Sequence, residues 1–242
     1  MRLAFFGRGR MGRAVVAQAR DLGHDVGVVF SSADAGRTPE QLAQTLEGHD
    51  AAVDFSAPDA VLAHVAACAK ARVPLVEGTT GWQEREAEAR SVIAQAGGAM
   101  VYGANFSIGV NLFYRVVERA GEVFRGLPAY APYIEEAHHA RKRDAPSGTA
   151  LELRRLLGER LGTAVPIAST RAGHIPGLHR VGFDSAADEI ILVHRARSRD
   201  AFAAGALAAA RWLVLGGTGT RGVQRFADVL DAILELERKG NP

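Results

Sequence analysis

The stretch "RLAFFGRGRMGRAVVAQARDLGHDVGVVF", residues 2–30, decides the fold. A short apolar run (2–6) passes through a glycine-rich turn into a helical pattern (11–22), which ends before a second apolar run (25–30). Strand, glycine turn, helix and strand in that order make a βαβ unit. The turn reads G-x-G-x-x-G. Its glycines allow a tight bend and bring backbone N–H groups against a pyrophosphate at the positive end of the helix. Gly7, Arg8, Gly9, Arg10, Met11 and Gly12 are therefore expected to bind a dinucleotide.

The same alternation continues. Apolar runs at 51–55, 74–78 and 99–103 are separated by helix-like segments at 39–47, 59–71 and 83–96. This predicts a Rossmann-like, doubly wound parallel sheet with ligands at the carboxyl ends of its strands. Two of those ends, Gly78, Thr79 and Thr80 in "EGTTG" and Gly103, Ala104, Asn105 and Phe106 in "GANFS", offer small residues, amides and hydroxyls to a cofactor. After the second strand, Ser31 and Ser32 stand where a site specific for NADH would carry an acidic residue on the ribose. A shifted loop could bring the Asp34 carboxylate there, Arg37 could meet a 2′-phosphate, and NADPH is expected to be used at least as well as NADH.

Beyond residue 104 the pattern changes to a helix (108–124), a strand (129–137), a second helix (147–161), strands at 165–171, 179–184 and 189–197, and a long helix (199–215). This predicts a second, α+β domain on a mixed sheet, so the domains are expected at 1–104 and 105–216, with 217–242 as a C-terminal segment. The stretch 221–240 reads as one amphipathic helix.

Composition excludes several classes. With 242 residues, 48% hydrophobic, 23% charged and a formal charge of +2, the chain has the make-up of a soluble globular protein and lacks the basic excess of a nucleic-acid binder. No apolar run is long enough for a membrane span, and the single cysteine, Cys68, allows no internal disulfide, so a cytoplasmic protein is expected.

The chemistry concentrates in "HHARKRDAPSGTA", residues 138–150. Lysine is rare in this chain, standing only at Lys70, Lys142 and Lys239 among 29 basic residues. A lysine amine can titrate where arginine cannot, which points to a role for the proton or compact charge of Lys142. Downstream, Asp144 or Ser147 can cap a helix, with Pro146 suited to its first turn. The amides near Ser147, Gly148 and Thr149 then form an anion site. His138 or His139 can transfer a proton near neutrality, and their different directions allow one of them to reach the reacting atom. Together these groups suit a small carboxylate substrate. No carboxylate or histidine lies at the short spacings zinc favours, so no metal is expected. His24, His49 and His64 are expected on the surface, and His174, His179 and His194 in the second domain.

The blocks "GRGRMG" (7–12), "VDFSAPDA" (53–60), "GTTG" (78–81), "NFSIGVN" (105–111), "EAHHARKRDAPSGTA" (136–150), "RAGHIPGLH" (171–179) and "FAAGALAAARWL" (202–213) together resemble the dihydrodipicolinate reductases, also called 4-hydroxy-tetrahydrodipicolinate reductases. The resemblance spans nearly the whole chain. It implies NAD(P)H-dependent reduction of a cyclic unsaturated dicarboxylate in the diaminopimelate route to lysine. His138 would be the acid, Lys142 its partner donor, and His139, Gly148 and Thr149 holders of the carboxylates. Gly7–Gly12, Gly78–Thr80 and Gly103–Phe106 match cofactor positions. A homotetramer built through the second domain's sheet and a C-terminal helix returning to the first domain are also implied. The glycine loop is one residue shorter than in many members, which bears on Arg8 and Arg10. A semialdehyde dehydrogenase or a nucleotide-sensing regulator would share the first domain but not the 138–150 block.

Overall fold

A computed structural model describes residues 1–216 and 220–240. The chain forms two compact units, one of Met1–Ile108 with the chain from Arg199 onward, the other of Gly109–Ser198. The first opens with β1 (Arg2–Phe6), α1 (Arg10–Asp21), β2 (Asp25–Phe30), α2 (Pro39–Leu46), β3 (Ala51–Asp54), α3 (Val61–Ala71), β4 (Leu75–Glu77), α4 (Glu86–Ala96) and β5 (Ala99–Tyr102). All its strands pair in parallel. Because β1 lies between β3 and β2 with helices over both faces, Leu3, Ala4, Phe5 and Phe6 are all buried, and alternate residues feed two cores. Phe5, Val53, Val76 and Val101 face one layer of helices; Phe6, Ala52, Leu75 and Met100 face the other, made by α2, α3 and α4.

The second unit contains α5 (Ile108–Phe124), β6 (Ala131–His138), α6 (Gly148–Leu161), β7 (Ile167–Arg171), β8 (Leu178–Asp184) and β9 (Glu189–Arg195). Its sheet runs β7-β6-β8-β9, with β6 parallel to β7 and antiparallel to β8. Phe113 and Val117 of α5 and Leu153 and Leu157 of α6 cover Ile134, Val181 and Phe183 on one face.

The chain then returns to the first unit as α7 (Asp200–Leu215), β10 (Gly222–Arg225) and α8 (Phe226–Gly240). By its contacts the chain divides after Ile108 and after Ser198, where the sequence reading places boundaries at 104 and 216. The physical reason is the small side chains of α7. Ala203, Ala206, Ala209 and Ala210 are buried without exposure, and the helix lies against α1 and strands β3, β4 and β5. The stretch 221–240 is not one helix. Gly222 takes φ +84°, and Gly222–Arg225 pair with Ala99–Tyr102, giving the sheet order β10-β5-β4-β3-β1-β2. The helix starts only at Phe226, whose ring packs 4.8 Å from that of Phe106. Residues 217–219, at the proposed boundary, lie outside the described residues.

A Cβ on Gly205 of α7 would stand 1.8 Å from the carbonyl oxygen of Phe106. Alanine is the better helix former by about 1 kcal/mol, yet overpacking a tight contact costs about 1–3 kcal/mol. Gly205→Ala is thus expected to lower the melting temperature in a thermal unfolding scan; an unchanged or raised value would refute this packing.

Candidate active site

The period of two along β6 puts Glu136 and His138 on the same face of the sheet, the face carrying the core. Register supplies their neighbours: Ser169 and Arg171 from β7, His179 from β8 opposite Glu136, and His194 from β9 opposite His179. Glu136, His138 and His179 are only 2%, 8% and 5% exposed. Each therefore needs a partner. One oxygen of Glu136 is hydrogen-bonded to His138 Nδ1, and the other accepts from Arg171 Nη2 at 2.7 Å. The bond at Nδ1 leaves Nε2 of His138 as its second proton-carrying atom. Arg171 also donates to the Asp144 carbonyl at 2.6 Å, tying the sheet to the loop of the 138–150 block.

That loop ends where Ser147 caps α6, its Oγ accepting the Ala150 N–H at 3.3 Å and lying 3.2 Å from His179 Nε2. Ser147 is the cap, and Asp144 and Pro146 precede the helix. Helical pairing leaves over the first amides of α6, at Gly148 and Thr149. The Thr149 side chain meets Tyr114, whose hydroxyl is pushed up to about 12, mainly by burial. Lys142 Nζ lies 2.8 Å from Asp144 Oδ1, and the Lys142 N–H donates to the His139 carbonyl at 3.0 Å.

Charge in this pocket is finely opposed. Burial works against ionisation of Glu136, but hydrogen bonds from Arg171 and Ser169 and the adjacent charges outweigh it and hold the carboxyl at about 2. A carboxyl depressed from 4.5 stabilises the fold above that pH, and the contribution fades as pH falls toward 2. Burial lowers His138 from 6.5; Glu136 opposes that shift, while Lys142 and Arg171 add to it. His179 is pushed down to about 3, first by burial and then by His138, so it is neutral at physiological pH. The outcome is a cationic pocket around a neutral imidazole, one that an incoming dianion would tip toward imidazolium.

Donor atoms of Glu136, His138 and His179 lie within 4.8 Å of one another, a grouping that a linear search for metal spacings misses because two ligands are two apart on a strand and the third lies across the sheet. A cation there would meet Arg171 on the same carboxylate; within the trio a hydrogen bond joins Glu136 and His138, and His179 turns its Nε2 to Ser147.

In the first unit, the cofactor candidates gather at the carboxyl ends of β1, β2, β4 and β5. A Cβ on Gly7 would strike the Phe55 carbonyl oxygen at 2.3 Å, and one on Gly12 the Gly7 oxygen at 2.1 Å. At Gly9 a Cβ would meet no protein atom within 4 Å, so the chain's own packing does not require glycine there. Gly9 is also the N-cap of α1, whose first turn has no acidic residue, and the opening amides at Arg10, Met11 and Gly12 suit a phosphate. Arg8 Nη2 is 3.4 Å from the Val29 carbonyl. Asn105 Oδ1 accepts the Ser107 N–H at 2.9 Å, and Phe106 is buried edge-on to Phe55. Ser31 and Asp34 cap a short turn starting at Ser32: the Asp34 carboxylate accepts the Ser31 N–H at 2.9 Å and pairs with Arg37 at 3.5 Å. The Ser31 N–H is the main cause of a lowered Asp34 carboxyl.

The structure thus joins His138, Lys142 and Ser147–Thr149 in one unit and the glycine loop with the 78–80 and 103–106 loops in the other. Two histidines expected on the surface are not there: His49 is buried and accepts the Val28 N–H at 3.3 Å, and His64 Nδ1 lies 2.6 Å from Asp54. Sequence reasoning passed over Glu136 and Arg171. Alternation from His138 could have found Glu136, whereas Arg171 is visible only through strand register.

A family model described as "Dihydrodipicolinate reductase, N-terminus" matches residues 1–106, and one described as "Dihydrodipicolinate reductase, C-terminus" matches 109–230. A "4-hydroxy-tetrahydrodipicolinate reductase" of Christiangramia forsetii is 35% identical over 232 residues, covering 88% of this chain and 92% of the relative. One of Xanthomonas campestris is 41% identical over 220 residues, covering 85% and 88%. A solved structure, "Dipicolinate bound Dihydrodipicolinate reductase from Paenisporosarcina sp. TG-14", superposes with a TM-score of 0.77 at 20% identity, covering 95% of this chain and 99% of that one.

The Glu136 charge favours the imidazolium of His138, so removing it should depress that imidazole further. Followed by NMR without ligand, His138 is expected to titrate below 6.5 in the wild type and lower still in Glu136→Gln. A higher value in the variant would contradict the assigned role of Glu136.

Proposed function

Because the chain belongs to the dihydrodipicolinate reductase family, we propose that it reduces 4-hydroxy-tetrahydrodipicolinate to tetrahydrodipicolinate with a nicotinamide cofactor, in the diaminopimelate route to lysine. The observation that carries this reading is the buried Glu136–His138 pair beside the open end of α6 and the cations Lys142 and Arg171. A proton donor within reach of anion-binding groups is what reduction of an unsaturated dicarboxylate needs.

The bound cofactor supplies the hydride. His138 delivers the proton to the ring carbon next to the one that receives the hydride, so that the two add across one double bond; from the hydroxylated form, water is also lost. The amides of Gly148 and Thr149, with Ser147 and His139, hold the carboxylates. Lys142 exchanges its Asp144 partner for the substrate. The substrate's negative charge offsets Lys142 and Arg171, the same charges that depress His138 in the free protein, and so favours the imidazolium when it is needed. Glu136 orients the ring and balances its charge.

The Gly7–Gly12 loop fits the cofactor's pyrophosphate, since the open space at Gly9 lies where the α1 amides begin. Gly78, Thr79, Thr80 and Gly103–Phe106 line the same edge. NADPH is used at least as well as NADH: Ser31 and Ser32 stand where an acidic residue would hold the ribose, and the charge of the one nearby carboxylate, Asp34, is balanced by Arg37 at 3.5 Å. The protein works as a cytoplasmic homotetramer. Support for assembly comes from the face of the second unit's sheet away from its core, where Ile191 and Val193 of β9 are 43% and 51% exposed. No helix among the described residues is long and apolar enough to cross a membrane.

The test is loss of nicotinamide absorbance when the protein is mixed with NADPH or NADH and the fresh product of dihydrodipicolinate synthase. Oxidation is expected with both, with kcat/KM for NADPH at least equal to that for NADH; no oxidation by protein that binds the cofactors would refute the reading. In the same assay Lys142→Arg is expected to lose about 100-fold or more in kcat, in line with loss of a positioned, titratable proton donor while the charge is kept. Its melting temperature should stay near that of the wild type, because Lys142 is a loop residue whose side-chain partner, Asp144, is largely exposed.

A further inference from the structure

A buried acidic pair lies in the first unit, next to the 78–80 loop, and has been given no role so far. Asp54 ends β3 and Glu77 ends β4; the two are direct register partners, and both are 0% exposed. Like charges side by side on neighbouring strands repel, and burial removes the water that would screen them. Their surroundings differ. Three donors converge on Asp54: the Ser56 N–H at 2.8 Å, the Thr79 hydroxyl at 3.3 Å and His64 Nδ1 at 2.6 Å. Glu77 receives one, the Thr79 N–H on Oε1 at 2.7 Å, and its Oε2 is buried with no hydrogen-bond acceptor or donor in contact. Three donors suit an ionised carboxylate; one donor and a bare oxygen suit a carboxylic acid. Burial first and the Asp54 charge second push Glu77 well above the usual carboxylate range, against the contacts with Thr79 that act to lower it.

Thr79 links this pair to the loops. Its N–H is held by Glu77 and its hydroxyl by Asp54, and that hydroxyl also accepts the Ser56 N–H at 3.1 Å. Glu77 and Asp54 thereby join the segment after β4 to the segment after β3. His64 fixes Asp54 from α3 and stacks on Phe6 at 4.0 Å, and Tyr102 is the register neighbour of Glu77 on β5.

We propose that Glu77 is a positioning residue for cofactor binding: as a neutral acid beside Asp54, it fixes Thr79 and so holds the 78–80 loop in the shape that receives the cofactor. This rests on the reading of that loop as part of the cofactor site. Charge on Glu77 would set two carboxylates against each other beneath the loop. An apolar side chain there would leave the Thr79 N–H without an acceptor.

The test combines infrared spectroscopy with NADPH titration by cofactor fluorescence. At neutral pH the wild type is expected to show a carboxylic-acid C=O band that disappears in Glu77→Gln. The amide keeps an acceptor for the Thr79 N–H and stays uncharged beside Asp54, so that variant should bind NADPH within about threefold of the wild type. Glu77→Leu, which keeps bulk and loses the acceptor, should bind about tenfold or more weakly, with kcat at saturating NADPH retained. Glu77→Leu binding as tightly as wild type, or an acid band that persists in Glu77→Gln, overturns the proposal; should Glu77→Leu not fold, the band decides. Failure of the wild type to bind either nicotinamide cofactor overturns instead the function reading on which this one rests.

Discussion

Everything chemical in the second unit depends on how β6 is paired. With β7 parallel on one side and β8 antiparallel on the other, each side chain of β6 gains a chosen neighbour from each flank. Glu136 meets Ser169 and His179; His138 meets Arg171. A slip by one residue would turn Glu136 and His138 together to the opposite face, where Glu135 and Tyr133 now lie, and take both away from Arg171 and His179. Apolar packing of Ile134 against Val181 and of Phe183 against Phe124 holds that register. Four residues along the strand from Ile134, the same face that forms a core becomes a site.

Both units place buried carboxyl groups at strand ends and spend them in different ways. Glu136 stays ionised because a guanidinium, a hydroxyl and an imidazole surround it. Glu77 has one backbone donor and another carboxylate as neighbour, and is driven the other way. Two glutamates with nearly equal exposure are thus pushed in opposite directions, and what separates them is the number and sign of the partners that the sheet register supplies.

Much of this was legible in the sequence because it is local. Strands of the first unit, the glycine turn, the helix after Ser147 and the cationic loop around Lys142 are each written in residues close together along the chain. What was not legible depends on partners far away in sequence. Arg171 gains meaning only by lying beside His138, and His179 only opposite Glu136. His64 looked like a surface histidine because nothing nearby in the sequence announces Asp54. The alanine-rich helix at 200–215 suits either domain by composition; close approach to the parallel sheet, possible only for small side chains, decides. Four residues of β10 were read as helix because their strand character comes from an edge already formed by β5.

The first unit is discontinuous, and that governs the order in which the molecule can be made. When the first 108 residues have left the ribosome, β5 still presents an open edge, and the apolar face formed by Phe5, Val53, Val76 and Val101 lacks the α7 and α8 surfaces that will seal it. The inserted segment, by contrast, has its own core and is finished by Ser198. Nascent chains therefore carry an unsealed nucleotide-binding half through the whole synthesis of the insert. Closing that half is a long-range event, reached only when the last forty or so residues emerge, and chaperones that shield apolar surface have that interval in which to act.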